Sequence, residues 1–138
     1  MQQRLCDTRR MAIAHNPSDA PLASGGYSQG LEVTTPGRLL HISGQIPEPL
    51  SGEVPATFDE QCTLVWGNVH AVLRSAGMTA SDLVKVTTFL ADRRYGEANS
   101  RIRQTILGNL RPALTVVVTD IYDEAWLLEI EAIAFQPS

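Results

Sequence analysis

The stretch Trp126–Phe135, WLLEIEAIAF, places Trp126, Leu128, Ile130, Ala132 and Ala134 on one side of an extended chain and Leu127, Glu129, Glu131, Ile133 and Phe135 on the other. The first side is wholly apolar and belongs to a core. The second sets two carboxylates among Leu, Ile and Phe, where a solvated sheet face would carry mixed polar residues such as Lys or Thr, so both acids are expected to be half-buried and to need partners. Two readings follow: acids satisfied by backbone N–H groups or by a cation at a subunit interface, or one acid lining a ligand cleft.

Working back from this strand, Leu114–Thr119 (LTVVVT) and Leu83–Ala91 (LVKVTTFLA) are rich in β-branched residues and apolar on both faces, as buried strands are. Between them Asp92 can cap a helix whose Tyr95, Ala98, Ile102 and Ile106 form a narrow stripe ended by Gly108. Further back, Thr57-Phe58-Asp59-Glu60 is a capping-box pattern. Behind it Phe58, Cys62, Val65, Val69, Val72 and Ala76 recur at helical spacing, and Gly77 supplies the stop. Gln61 and Asn68 lie off that stripe and are expected in solvent. Gly30–Thr34 and Arg38–Ser43 flank Thr35-Pro36-Gly37, a turn sequence, and are expected to pair as a hairpin. Ser43-Gly44-Gln45 then opens a proline-containing loop. Residues 1–20 show no sustained period and are expected to form a flexible arm, with Met11 an alternative start, ahead of a single domain over residues 21–138.

The order is therefore ββαβαββ, an α+β domain. Two helices can cover one face of a five-stranded sheet, and strands apolar on both faces leave the second face in need of a partner chain. Oligomerisation follows from this patterning.

A chain of 138 residues, 43% apolar and 19% charged, suffices for one domain with a real core. Its net charge of −4 argues against sequence-independent binding to nucleic acid, which depends on neutralising phosphates. Cys6 and Cys62 give neither metal spacing nor a disulfide framework, and Cys62 reads as a buried free thiol. No run approaches the ~20 apolar residues needed to span a bilayer, and no secretory apolar region is evident. A reduced, cytoplasmic protein with no membrane partner is expected. The histidines, His15, His41 and His70, have no paired spacing and are expected to be structural or solvated.

In order along the chain, GGYSQG (25–30), LLHISGQIP (39–47), SGEVP (51–55), GNVHAVLRSAGM (67–78), DLVKVTTFLAD (82–92), ANSRI (98–102), RPAL (111–114) and LEIEAIA (128–134) resemble the RidA/YjgF family, also called the endoribonuclease L-PSP family. The resemblance implies a chorismate-mutase-like homotrimer with a small-molecule cleft at each subunit interface. It also implies hydrolysis of reactive enamines and imines, such as 2-aminoacrylate, to 2-oxo acids and ammonia without metal or cofactor. In such proteins the cleft is described by a Tyr in GPYSQ, backbone groups around SGQ, an Arg in PARS and the first Glu of EIEA. Tyr27, Ser43 with Gly44, and Glu129 match three of these, so the resemblance makes Glu129 the catalytic candidate and Glu131 an interface acid. The Arg is replaced by Leu114.

That departure removes a guanidinium fork able to hold a substrate carboxylate through charge-assisted bonds worth roughly 1.5–3 kcal/mol each. Arg111 lies three residues earlier, on the opposite face of an extended strand and ~10 Å away. Arg38, Arg101 and Arg103 are looser substitutes. Gly26 stands where the motif has Pro, leaving the Tyr27 turn less stiff. The expected function is a cofactor-free imine or enamine hydrolase of altered specificity. The alternatives are a non-catalytic ligand-binding or interaction trimer, and an endoribonuclease or translation inhibitor.

Overall fold

The computed structural model describes residues 12–34 and 36–138. Its strands are β1 (Ala12–His15), β2 (Gly30–Val33), β3 (Gly37–Gln45), β4 (Leu83–Leu90), β5 (Ala113–Val118) and β6 (Leu128–Pro137), with helices α1 (Phe58–Ser75) and α2 (Gly96–Leu107). A four-stranded sheet runs β3-β6-β4-β5, and β1 and β2 form a separate two-stranded ribbon. β6 is antiparallel to both β3 and β4, while β5 adds parallel to β4. The opening stretch is thus an inner strand, with Leu128, Ile130, Ala132 and Ala134 all buried.

The expected hairpin between β2 and β3 does not form. β2 pairs instead with β1, matching Ala12 to Val33 and His15 to Gly30, and a His15–Glu32 ion pair of 2.7 Å closes that ribbon. β3 takes β6 as its partner from Gly37↔Pro137 onward. Gly37 is required there by close packing, because a Cβ would overlap the Gln136 carbonyl and the Phe135 ring. Part of the expected flexible arm is therefore a strand, although residues 1–11 lie outside the described residues.

α1 begins as its sequence predicts. The Thr57 hydroxyl accepts from the Glu60 N–H at 3.3 Å, and the Glu60 carboxylate accepts from the Thr57 N–H at 3.4 Å. It ends in a Schellman motif: Gly77, at φ +69°, donates to the Arg74 carbonyl, and Met78 donates to the Leu73 carbonyl. Its buried stripe of Phe58, Cys62, Val65, Trp66, Val69 and Leu73 packs on β3 and β6, and α2 rests against α1. Asp92 caps a short 3₁₀ turn (Arg93–Tyr95) that leads into α2, and Tyr95 stacks on Phe58 with ring centroids 4.7 Å apart. No described helix is long and apolar enough to cross a membrane.

Both helices lie on one face of the sheet. The other face, carrying Leu39, His41, Thr87, Thr115, Val117, Glu129 and Glu131, is left uncovered by the elements of the described residues. Leu114–Thr119 was expected to be a buried strand, yet Val116, Val117 and Val118 are exposed. β5 is a sheet edge, and nothing among the described residues covers these valines.

Cys62 is fully buried, and desolvation pushes its thiol up to about 12, with Asp59 adding to the shift. The unfolded thiol loses its proton near 9.0, so the folded state holds that proton more tightly between there and about 12. The neutral thiol's contribution to stability should be intact below 9.0 and lost as pH rises towards 12. Urea titrations across that range should show a decline that is shallower in Cys62→Ala.

Candidate functional site

The site is organised by a break in the β3–β6 register. Ile42 pairs with Ala132 but Gln45 pairs with Ile130, so three steps along β3 match two along β6. The extra residue falls at Ser43–Gly44, a β-bulge that bends β3 and turns its backbone towards the neighbouring side chains. Glu129 fills the space so created. A Cβ at Gly44 would collide with its carboxyl oxygen, lie 2.7 Å from its Cδ and 3.1 Å from its Cγ. Only glycine admits the carboxyl against this backbone. Ser43 is exposed beside a groove of about 470 Å³ on the uncovered face, lined by His41, Lys85, Thr87 and Glu131 among others.

Two amides of α1 hold this arrangement, contrary to the expectation that both lie in solvent. Gln61 is only 2% exposed. Its Nε2 donates to the Pro55 and Ala125 carbonyls, each at 2.9 Å, and its Oε1 accepts from the Leu127 N–H at 2.8 Å, fixing the entry of β6 two residues before Glu129. Asn68 donates to the Ile46 and Glu48 carbonyls at 2.9 and 3.2 Å, pinning the loop that leaves the bulge. Gln61 falls between Phe58 and Val65 on the buried stripe, and that position was the available signal. Gln61→Leu should strand a buried N–H and two carbonyls and lower the unfolding free energy by about 3 kcal/mol. A lower urea midpoint at unchanged slope would show this.

Tyr27 and Leu114 each lie one residue from a second junction, where Ser28 meets Ala113. Ser28, 3% exposed, bridges to Ala113; its N–H donates to the Pro112 carbonyl at 3.1 Å and its hydroxyl to the Arg111 carbonyl at 2.7 Å. The turn bearing Tyr27 is thereby fastened to the entrance of β5. Leu114 pairs with Val86, which pairs with Ala132, so it faces the helices and packs on the core. Glu129 pairs with Phe89, which pairs with Val117, on the opposite face. Leu114 is therefore two strands and three residues from Glu129, roughly 14 Å by strand spacing and rise. Within one chain the expected site residues therefore fall in two places, Ser43–Gly44–Glu129 at the bulge and Tyr27 and Leu114 about the entrance of β5.

None of the four arginines considered as substitutes is directed at Glu129. Arg38 donates to the Ala76 carbonyl at the end of α1, and Arg101 pairs with Asp59 at 2.9 Å on the surface. Arg111 precedes β5 and turns back to the Gly108 and Leu110 carbonyls at 2.8 and 3.0 Å. Arg103 is buried against the Gly25 carbonyl. His70 is held neutral more readily than usual, by burial first and by Arg74 second.

Residues 17–136 match the model of the family described as Endoribonuclease L-PSP. A RutC family protein of Pyrococcus horikoshii is 34% identical over 120 residues, covering 86% of this chain and 93% of its own. The 2-iminobutanoate/2-iminopropanoate deaminase of Escherichia coli K12 is 41% identical over 75 residues, 54% of this chain and 56% of that protein. Among solved structures, YyfB of the conserved Rid protein family from Yersinia pestis superposes with a TM-score of 0.78 at 28% identity, covering 90% of this chain and 98% of that one.

Proposed function

Since the chain belongs to the Endoribonuclease L-PSP family, the RidA/YjgF proteins, we propose that it is a cofactor-free hydrolase of small imines or enamines. The observation that carries this reading is the Glu129 carboxyl seated against the bulged backbone at Gly44. A half-buried carboxylate beside bulged backbone can hold a water against a C=N carbon while adjacent N–H groups engage the substrate's polar atoms. The water adds to the carbon while Glu129 takes its proton and returns it to the nitrogen, giving a carbinolamine; Glu129 then carries the proton of the new hydroxyl to the amine, the C–N bond breaks, and ammonia and a carbonyl product leave. The name of the Escherichia coli relative favours this chemistry.

The proposal includes assembly as a homotrimer, in which the Tyr27–Leu114 half-site of one subunit meets the Glu129 half-site of the next. Its support is the uncovered sheet face and the exposed valines of β5. Leu114, which offers no donor, favours substrates that are neutral or apolar where 2-iminopropanoate carries its carboxylate. A cytoplasmic setting belongs to the same proposal. For RNA cleavage the site supplies no pair of histidines, since His15 is engaged by Glu32 and His41 lies exposed on β3.

The test is ammonia release from a panel of enzymatically generated imines, with and without a carboxylate, alongside sedimentation of the purified protein. Turnover that is greatest on imines lacking the carboxylate, from a species of three chains, is the expected result. No turnover across the panel, with a ligand still bound in the cleft, would instead establish a binding protein.

A further inference from the structure

Between the Gly25–Gly26 turn and the C-terminal end of α2 lies an open cavity of about 440 Å³, whose walls include Gly25, Gly26, Arg103, Gln104, Asn109 and Arg111. Two guanidiniums line it, and no carboxylate does. Arg103 is 6% exposed. Its Nη2 donates to the Gly25 carbonyl at 3.1 Å and, at the long distance of 3.4 Å, to the Ser100 hydroxyl, while its Nε meets no acceptor among the described residues. The ionisable group acting on it most directly is the Cys62 thiol, which stays protonated at neutral pH and offers no counter-charge. Asp59, the acid that acts on the same thiol, is already paired with Arg101.

A buried cation without an anion is costly, and chains retain one where a ligand completes it. Arg111 borders the same cavity: its Nη1, which is spent on the Gly108 and Leu110 carbonyls, fixes the guanidinium 3.9 Å from where a Cβ on Gly26 would stand. Its Nη2 and Nε meet no acceptor among the described residues and are the donors left for an anion. Gly26 itself sits at φ +82°, which a side chain would strain.

We propose that this cavity binds a small oxyanion, a carboxylate or a phosphate, gripped between the guanidiniums of Arg103 and Arg111. The planar fork of arginine suits both ligands. Burial, which weakens Arg103's hold on its own proton, is offset when the anion arrives. Occupation has a mechanical consequence. Arg103 holds Gly25, and the Arg111 and Pro112 carbonyls hold Ser28, so the anion would tie both ends of the Tyr27 turn into one unit. An effect on turnover rests on the proposed role of Tyr27; the binding itself does not.

The experiment is calorimetric titration of the full chain with inorganic phosphate and, separately, with acetate as a plain carboxylate, at ionic strength fixed with sodium chloride. Alongside it, the Arg103 Nε–H resonance is followed by NMR. Saturable binding of either anion with a shift of that resonance, weakened at least tenfold in both Arg103→Gln and Arg111→Gln and retained in Glu129→Gln, is the expected result. The arm that binds identifies the source of the anion. Should Arg103→Gln fail to fold, Arg111→Gln decides, because that side chain is only half-buried and its backbone carbonyl, which survives the substitution, holds Ser28. No saturable binding in either arm overturns the proposal. So does binding unchanged in Arg111→Gln, which marks an adventitious ion only, and so does binding lost in Glu129→Gln, which places the anion in the cleft instead.

Discussion

Gly44→Ala is expected to lower the turnover of a hydrolysable imine by roughly 10²–10⁴-fold, the range associated with losing a positioned acid–base group, while costing the fold no more than about 1–2 kcal/mol. The new methyl would occupy the place of the Glu129 carboxyl, reaching within 2.7 Å of Cδ and 3.1 Å of Cγ. Glu129 sits on the uncovered sheet face, so its side chain can swing away at modest cost in stability, and the carboxyl would be lost from the bulge. Glu129→Gln, which leaves the backbone untouched, should produce a comparable loss. The double variant should be little worse than either single one, because both remove the same carboxyl from the same place. Kinetics of ammonia release from the four proteins, with urea titrations to exclude unfolding, measure this. Fully additive losses would show that Gly44 and Glu129 act separately.

Leu114→Arg is expected to raise kcat/KM for 2-iminopropanoate by about 10- to 100-fold, since one charge-assisted bond to a carboxylate contributes roughly 1.5–3 kcal/mol. Turnover of uncharged imines should change little or fall. Leu114 packs on the core from the helix-facing side of β5, near its start, so the longer side chain would have to run along the strand edge to bring its head to the carboxylate of a substrate in the proposed cleft. Some loss of stability is therefore expected, and steady-state kinetics must be paired with an unfolding curve. Wild-type turnover that is already robust on 2-iminopropanoate and indifferent to the substitution would sink the idea that Leu114 sets specificity.

What could be read from the residues alone divides along the line between local and distant interactions. α1 was legible from Thr57 to Gly77 because its cap, stripe and stop are written within the helix itself. β6 was legible because period-two alternation reports burial directly, and its Leu128, Ile130, Ala132 and Ala134 face is buried. The β2–β3 hairpin was not: Pro36-Gly37 is turn chemistry, but which strand β3 pairs with is decided by β6, far along the chain. β1, four residues long, is too short to show a period. A polar residue on an apolar stripe, as with Gln61, carries no sign of the carbonyls and N–H that await it. The face of Leu114 was equally hidden, because LTVVVT is apolar on both sides and alternation cannot say which side meets the helices. The nearness of Gly44 and Glu129 followed from the family resemblance, whereas its cause, the bulge, did not.

The inner position of β6 also governs the order of events in folding. β3 and β4 have no hydrogen-bonding contact with each other, and β6 joins them, pairing Gly37 with Pro137 and Leu90 with Leu128. Helix α1 can form early from its own sequence and β4 can pair with β5 across α2, yet β3 has no partner in the sheet, and α1 only part of its seat, until the last strand of the chain arrives. Such long-range closure places folding on the slow, millisecond-to-second side of the scale for small domains. During that interval the valines of β5 and the apolar rows of β4 stand open to other chains, so newly made protein at high concentration is at its most vulnerable to mispairing before β6 is in place.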